Sequence, residues 1–306
     1  MEDLVASITA MSTSRMRALH TRDDPQPVLD DPWGDRLIPA SMLIAAVAQR
    51  DSGAYDTVGE ASEEELISFS DEVLRVSPAF TNVILRSRYT EDALSTAIAR
   101  GVKQYVLIGA GFDSYALRMP SQASGLKVIE VDHPATQALK LERIRECGVT
   151  VPDGVQFVAA DLSSEGLDDA LARSGFDHTT EAFFSWLGVT MYLSREANMA
   201  TLAKIAACSA AGSQLVFSYL DQKLFEPDGT SDAALFDDLE QRVKSVGEPF
   251  VSGFYPASLR ADLDALGLKL QEDLNEFELV KRYDPDGING LKPADRSHVA
   301  LVRTAE

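Results

Sequence analysis

This chain of 306 residues has few cysteines, few basic residues and no long apolar run, and each of these features excludes a class of protein or partner. It has only two cysteines, Cys147 and Cys208, which gives neither a disulfide framework nor the spacing of a metal site. Basic residues number 28 against 48 acidic ones, so the net charge is −20 and the surface repels nucleic acid and anionic membrane. No apolar run approaches the length of about 18 residues that a membrane-spanning helix needs. With an acidic start that lacks the pattern of a signal peptide, these features predict a cytoplasmic protein with no nucleic-acid, membrane or metal partner.

The remaining composition is that of a globular protein, with 45% hydrophobic residues. The first hundred residues show mostly helical periodicity, and from Tyr105 onward short apolar runs alternate with helix-like stretches. Such alternation predicts an α/β fold with a mostly parallel, doubly wound sheet of the Rossmann type. The five predicted parallel strands are residues 105–108, 127–132, 155–161, 182–187 and 214–220. Residues 269–274 and 298–303 are predicted to complete the sheet as an antiparallel pair.

Three regions follow from this pattern. Residues 1–100 are predicted to form a helical N-terminal cap, and residues 101–306 a ligand-binding domain. The polar segment 221–249 interrupts the alternation directly after a late strand, so it would begin at the carboxyl edge of the sheet, where ligands bind. We expect it to be a lid insertion, and a peripheral surface helix is the alternative.

The chain is organised around the stretch from Tyr105 to Ser114, YVLIGAGFDS. Gly109 and Gly111 follow an apolar strand and would let a ligand approach the backbone without meeting a Cβ atom. A dinucleotide fingerprint requires a third glycine where this chain has Ser114, and Asp113 beside it is unfavourable for a pyrophosphate. The departure favours a nucleoside without phosphates, such as S-adenosyl-L-methionine. A tight turn with no ligand is the alternative.

Three consecutive strand ends match the parts of that cofactor. The backbone at Gly109 and Gly111 can approach the methionine portion, and Asp132 can accept hydrogen bonds from the ribose hydroxyls. Asp161 can accept from the adenine amino group, while the N–H of Leu162 donates to a ring nitrogen. Asp161 could instead cap a helix N-terminus.

Arg88 is a candidate for the methionine carboxylate, because a guanidinium fork matches a carboxylate with two hydrogen bonds. Pairing with Glu91 or Asp92 at helical spacing is an equally good interpretation. The four histidines form no ligand pair and no arrangement with a nucleophile. The sequence therefore identifies no catalytic base.

Several stretches resemble one family. They are residues 86–94 (RSRYTEDAL), 108–114 (IGAGFDS), 130–134 (EVDHP), 186–193 (WLGVTMYL) and 247–254 (GEPFVSGF). Together they resemble the leucine carboxyl methyltransferase-like family of S-adenosylmethionine-dependent O-methyltransferases, most closely its actinobacterial branch. The resemblance implies a class I methyltransferase fold, S-adenosylmethionine as cofactor, and the roles given above for Arg88, Gly109, Asp132, Asp161 and Leu162.

The chain departs from that family at Leu187-Gly188, where the family's carboxyl methyltransferases have a Glu-Gly pair. The missing glutamate leaves one cofactor contact open and weakens any assignment to a protein's C-terminal leucine.

The predicted function is transfer of a methyl group from S-adenosylmethionine to a carboxylate or hydroxyl oxygen of a small molecule or peptide. A carboxylate acceptor needs no base, which favours it slightly. The alternatives are a nicotinamide-dependent oxidoreductase, disfavoured by Ser114, and a non-catalytic adenosyl-binding protein whose lid recruits a partner. Four aromatic residues are candidates for the wall of the acceptor pocket: Phe225, Phe236, Phe250 and Tyr255.

Overall fold

The structure is a computed structural model that describes residues 6–50, 62–162, 164–226, 240–241, 243–245, 247–294 and 296–305. Most of the segment predicted to be a lid, 221–249, lies outside these ranges, and so does its aromatic candidate Phe236.

The centre of the fold is a seven-stranded sheet in the order β3-β2-β1-β4-β5-β7-β6. The strands are β1 (Gln104–Ile108), β2 (Lys127–Asp132), β3 (Val155–Ala159), β4 (Phe183–Trp186), β5 (Gln214–Leu220), β6 (Leu268–Asn275) and β7 (Ser297–Thr304). Strands β1 to β5 are parallel, whereas β7 runs antiparallel to both β5 and β6. The predicted mostly parallel sheet and its closing antiparallel pair are confirmed.

Among the described residues, five α-helices precede the sheet and five lie between or after its strands. The first group is α1 (Ile8–Asp23), α2 (Trp33–Leu37), α3 (Ala40–Arg50), α4 (Glu63–Arg75) and α5 (Phe80–Ala99). The second group among the described residues is α6 (Pro134–Glu146), α7 (Leu167–Ala172), α8 (Arg195–Cys208), α9 (Pro256–Asp264) and α10 (Glu276–Tyr283). Pro78 lies in the short break between α4 and α5. No described helix is both long enough and apolar enough to cross a membrane.

Both faces of the sheet are covered, as its apolar strands predict. Along β1, Tyr105 and Leu107 point into a core shared with the N-terminal helices α1 to α5. Val106 and Ile108 point into a second core shared with α7, α8 and α9. Because successive side chains of a strand alternate between faces, one apolar run supplies both cores. The carboxyl ends of the parallel strands are thereby left as the open edge of the sheet.

Helix α1 closes part of that edge. Its Ser14 hydroxyl and the Nη2 of Arg17 donate to the carbonyl of Phe112, at 3.2 and 2.8 Å, and so fix the loop that follows β1. The start of α1 is held from a distant loop, since the backbone N–H groups of Ile8 and Thr9 donate to the carboxylate of Glu248 at 3.2 and 3.3 Å. A carboxylate at a helix N-terminus is also favoured by the helix dipole. The first helix of the chain therefore forms a wall beside the glycine loop.

Candidate functional site

A cavity of about 1150 Å³ opens at the carboxyl ends of the parallel strands. Ligand pockets commonly measure about 300–1,000 Å³, so this one has room for a nucleoside cofactor and a second molecule. The walls come from the loops after β1 to β4, from the start of β7, and from helices α1, α3, α4 and α5. All of the predicted site residues except Arg88 line it.

The two glycines after β1 have backbone conformations that a side chain would oppose. Gly109 has φ +67°, and a Cβ atom there would lie 2.4 Å from Cγ2 of Val189. Gly111 has φ +52°, and its Cβ would lie 3.0 Å from Cβ of Ala10 in α1. The left-handed conformation and the close packing both require glycine. The loop thus presents bare backbone to the cavity.

Asp132 ends β2 at the cavity wall. Its carboxylate accepts hydrogen bonds from the backbone N–H groups of Gly111 and His133, the latter at 2.6 Å. Burial raises the pKa of Asp132, while these two donors and the positive charge of Lys140 oppose the rise. The carboxylate is therefore held in a fixed position beside the glycine loop, where it can accept further hydrogen bonds from a ligand.

Asp161 and Leu162 follow β3 and also line the cavity. The carbonyl of Asp161 accepts from the N–H of Glu165 at 2.8 Å, which forms a turn. The next helix begins later, at Leu167, with Gly166 at its N-cap position. Asp161 does not cap that helix, so the alternative considered from the sequence is wrong.

Arg88 requires a correction. It does not line the cavity, and its Nη2 pairs with Oδ1 of Asp92 at 2.9 Å, with 42% and 44% of the two side chains exposed. Its Nη1 donates to the carbonyl of Val28 at 3.1 Å. The helical pairing with Asp92, left open by the sequence, is the arrangement that the structure contains. Arg88 is thus occupied on the outer face of α5.

Arg86, two residues earlier, faces the cavity instead. Residues two positions apart in an α-helix are separated by about 200° around its axis, so the two arginines lie on opposite sides of α5. The Nη1 of Arg86 donates to Oδ1 of Asn82 at 3.0 Å, and a Cβ at Gly188 would lie 2.5 Å from its Nη2. Burial lowers the pKa of Arg86 to about 10. The helical phase of α5, in which Asn82 and Arg86 share one face, is the signal that could have identified it.

A hydrogen-bonded chain runs from Arg86 across the cavity wall. Asn82 accepts from Arg86 and donates to the hydroxyl of Ser297 at 2.6 Å, and that hydroxyl donates to the carboxylate of Glu276. Glu276 also accepts from the N–H of Ala294 at 2.9 Å. Burial raises the pKa of Glu276 to about 7. The sequence pointed to none of these polar residues, which lie far apart along the chain.

Arg296, directly before β7, completes this polar wall. The residue is only 5% exposed, and its Nε and Nη1 have no hydrogen-bond partner among the residues that the structure describes. Among all the residues that the structure describes, no cluster of histidine, cysteine and carboxylate side chains could hold a metal ion.

The rest of the cavity is mainly apolar. One wall comes from helices α3 and α4, and the opposite wall from the loops after β4 and β5. The apolar lining residues of these walls are Leu43, Val47, Phe69, Val73, Leu74, Met191, Leu193, Leu220, Val243 and Phe250. Tyr192 lies among them, and burial raises its pKa to about 12.

Of the three described aromatic candidates for the acceptor pocket, one lines the cavity and two do not. Phe250 lines the cavity and its ring lies 5.7 Å from that of Tyr192. Phe225 packs in the adjacent apolar cluster without reaching the cavity, and Tyr255 is 39% exposed, with its hydroxyl donating to Glu226. The predictions for Phe225 and Tyr255 are therefore wrong.

Comparisons with known proteins agree with this geometry. Residues 10–206 match the family model of leucine carboxyl methyltransferases. The chain is 31% identical over 292 residues to the Bacillus subtilis protein named "Putative S-adenosyl-L-methionine-dependent methyltransferase YktD", covering 94% of this chain and 91% of that one. A Mycolicibacterium smegmatis protein with the same description is 32% identical over 224 residues, or 72% of this chain and 70% of its own. A solved DUF574 family protein from Streptomyces avermitilis shares the fold, with a TM-score of 0.56 at 14% identity over 95% and 96% of the two chains.

Proposed function

The chain belongs to the leucine carboxyl methyltransferase family and is an S-adenosylmethionine-dependent methyltransferase, and from that premise we propose that it methylates an oxygen atom of a small-molecule or peptide acceptor. The observation that carries the proposal is the single cavity in which the bare loop at Gly109 and the Asp132 carboxylate adjoin a large apolar compartment. We further propose that residues 1–100 act as a cap on the cofactor-binding domain of residues 101–306.

The residues at the strand ends fit the cofactor. Gly109 and Gly111 line the cavity without side chains, so the methionine portion could approach their backbone closely. Asp132 is placed to accept from the ribose hydroxyls, and Asp161 with Leu162 to contact the adenine. Leu187 lines the cavity at the position where the family's carboxyl methyltransferases have a glutamate. Its apolar side chain offers the cofactor no polar contact.

Arg86 takes the role that the sequence suggested for Arg88. We assign it to the methionine carboxylate because its guanidinium lies at the cavity, is partly buried, and has one hydrogen bond, to Asn82, among the described residues. A carboxylate would supply a directly paired countercharge, which Arg86 does not have among the described residues. The bidentate geometry of such a pair adds specificity for the amino-acid end of the cofactor.

When bound, S-adenosylmethionine supplies an electrophilic methyl group, whose carbon–sulfur bond breaks as the bond to the acceptor oxygen forms, leaving S-adenosylhomocysteine. The protein contributes alignment of the two reactants and exclusion of water. The start of α1, held by Glu248, forms part of the covering wall. The apolar residues of α3 and α4 provide a surface for the body of the acceptor.

The acceptor oxygen belongs either to a carboxylate or to a hydroxyl group. A carboxylate is already ionised and requires no base. A hydroxyl must lose a proton, and Glu276, whose pKa is raised to about 7, is the carboxylate of the cavity wall suited to take it.

The experiment is a calorimetric titration of the purified protein with S-adenosylmethionine, S-adenosylhomocysteine and NAD, followed by an assay of S-adenosylhomocysteine release on panels of carboxylic acids, alcohols, amines and thiols. We expect both adenosyl ligands to bind and NAD to fail, with turnover confined to oxygen acceptors. Turnover on amines or thiols alone would refute O-methylation. Where an Arg86→Gln variant is compared with wild type in these assays, Arg88→Gln is its control, because it removes a positive charge from the other side of the same helix.

A further inference from the structure

The carboxylate of Asp113 follows the glycine loop and lines the cavity, with its side chain only partly buried. Its Oδ1 accepts a hydrogen bond from the backbone N–H of Tyr115 at 2.8 Å. Among the described residues it has no ion-pair partner within 4.0 Å, and the guanidinium of Arg118 nearby pairs with Glu91 and Asp31 instead. Asp113 can therefore accept further hydrogen bonds from a ligand that carries a positive charge.

Asp113 and Arg86 lie on the same face of the sheet. Burial and the nearby negative charge of Asp113 raise the pKa of Tyr105, whose side chain points into the core shared with α5. The Tyr105 hydroxyl is hydrogen-bonded to that of Ser185 at 2.9 Å, and Ser185 in β4 also lines the cavity. Arg86 reaches the cavity from α5 and adjoins Gly188, three residues after Ser185. Two groups of opposite charge are thus placed near the ends of β1 and β4.

The amino-acid end of S-adenosylmethionine also carries two opposite charges. Its carboxylate is the group assigned to Arg86, and its ammonium group needs hydrogen-bond acceptors when it leaves water. A carboxylate is the strongest acceptor that a protein offers to an ammonium group, because the hydrogen bond is assisted by charge. An acid close to Arg86 would therefore complete the recognition of this end of the cofactor.

Four other acidic side chains line the described part of the cavity, and each lies or is bonded elsewhere: Asp132, Asp161, Glu248 and Glu276. The first two follow β2 and β3, which lie on the other side of β1 from β4. Glu248 accepts from the start of α1, and Glu276 accepts from the hydroxyl of Ser297. The residue before Gly188 is a leucine, so it supplies no carboxylate. Asp113 is the acid that remains for the ammonium group.

We propose that Asp113 binds the ammonium group of the cofactor and, together with Arg86, selects ligands with a zwitterionic amino-acid end. The same charge that attracts an ammonium group repels a pyrophosphate, so one side chain favours S-adenosylmethionine and disfavours a dinucleotide. The inference rests on the cofactor site given under the proposed function. It adds to that site the residue that recognises the positive charge of the amino-acid end.

The test compares two ligands that differ only in this ammonium group, by calorimetry. S-adenosylhomocysteine has the group, whereas 5′-S-(3-carboxypropyl)-5′-thioadenosine lacks it and keeps the carboxylate for Arg86. We expect wild type to bind S-adenosylhomocysteine about 10- to 100-fold more tightly, the range of a charge-assisted hydrogen bond. Asp113→Asn should lose this preference by weakening S-adenosylhomocysteine alone, because the amide keeps an oxygen for the N–H of Tyr115 and lacks the charge.

Asp92→Asn is the matched control, since it removes the same charge from an exposed residue that pairs with Arg88, and it should leave the preference unchanged. Asp113→Ser, whose hydroxyl can also accept in a turn, gives an independent measurement and should lose the preference as well. A wild type that fails to bind S-adenosylhomocysteine contradicts the proposed cofactor site together with this inference. Equal affinity of wild type for the two ligands, or a folded Asp113 variant that keeps the preference, overturns the role of Asp113 alone.

Discussion

Replacing Arg86 by glutamine should stabilise the free protein and weaken its binding of cofactor. The guanidinium is partly buried and has one hydrogen bond among the described residues, and its pKa is lowered to about 10 because desolvation disfavours the charged form. At about 1.4 kcal/mol per pH unit, this lowering corresponds to about 3 kcal/mol of destabilisation at neutral pH. Its sign follows from the depressed pKa: the cost is present below about pH 10 and declines above it. Water in the cavity screens part of it, so we expect a gain of about 1–3 kcal/mol.

The same substitution should reduce affinity for S-adenosylhomocysteine. Removing one partner of a buried, hydrogen-bonded charge pair costs about 2–5 kcal/mol, which is about 30-fold or more in the dissociation constant. The affinity for 5′-methylthioadenosine, which lacks the amino-acid portion, should not change. Glutamine retains a donor for Asn82, so the effect reports the charge rather than the loss of that hydrogen bond.

Two measurements decide the outcome. Urea denaturation of the free protein gives the free energy of unfolding, and calorimetry gives the two affinities, each compared with Arg88→Gln, which should alter neither. If Arg86→Gln bound S-adenosylhomocysteine as tightly as wild type, the assignment to the methionine carboxylate would be wrong. An equal loss for both ligands would indicate general damage to the site.

Three further predictions concern the same cavity. Asp132→Asn should weaken S-adenosylhomocysteine binding by about 2 kcal/mol, because the amide lacks the charge that strengthens hydrogen bonds from the ribose, and calorimetry showing no change would contradict it. In wild type, the native state retains the proton of Glu276 between its ordinary pKa of 4.5 and about 7, whereas the unfolded state loses it. The free energy of unfolding should therefore fall by on the order of 3 kcal/mol as pH rises through that window. Urea denaturation at pH 5 and pH 8 should show a smaller fall for Glu276→Gln. Gly109→Ala should destabilise the protein by about 1–3 kcal/mol through its positive φ and its contact with Val189, and Val189→Ala should restore only the part due to that contact, as thermal unfolding of the double variant would show.

Strand positions were predictable because the cues for them are local. Residues 127–132 and 214–220 are apolar runs ended by turn-forming or polar residues, and the observed β2 and β5 have those bounds. The parallel order then brings the ends of β1, β2 and β3 to one edge, so the sequence predicts that Gly109, Asp132 and Asp161 lie close together, and all three line the cavity. Local sequence carries this information because a parallel sheet fixes the direction of every strand.

The polar wall could not be found in the same way. Glu276 and Arg296 come together with Asn82 because β6, α10 and β7 return the chain to the edge of β5, more than 190 residues after α5 begins. No local pattern specifies that return. The choice between Arg86 and Arg88 depends on the rotation of α5 about its axis, which is set by packing against α1 and the sheet.

Arg86 occupies the space that a side chain at Gly188 would need, so the two positions form one unit although about a hundred residues separate them. Any residue larger than glycine at 188 would displace the guanidinium, and a variant at either position should have the same phenotype. In a set of relatives, the arginine and the glycine should accordingly be kept or lost together. A second substitution at one position cannot replace the residue lost at the other. A genetic screen that starts from a defect at one position should therefore recover few suppressors at the other.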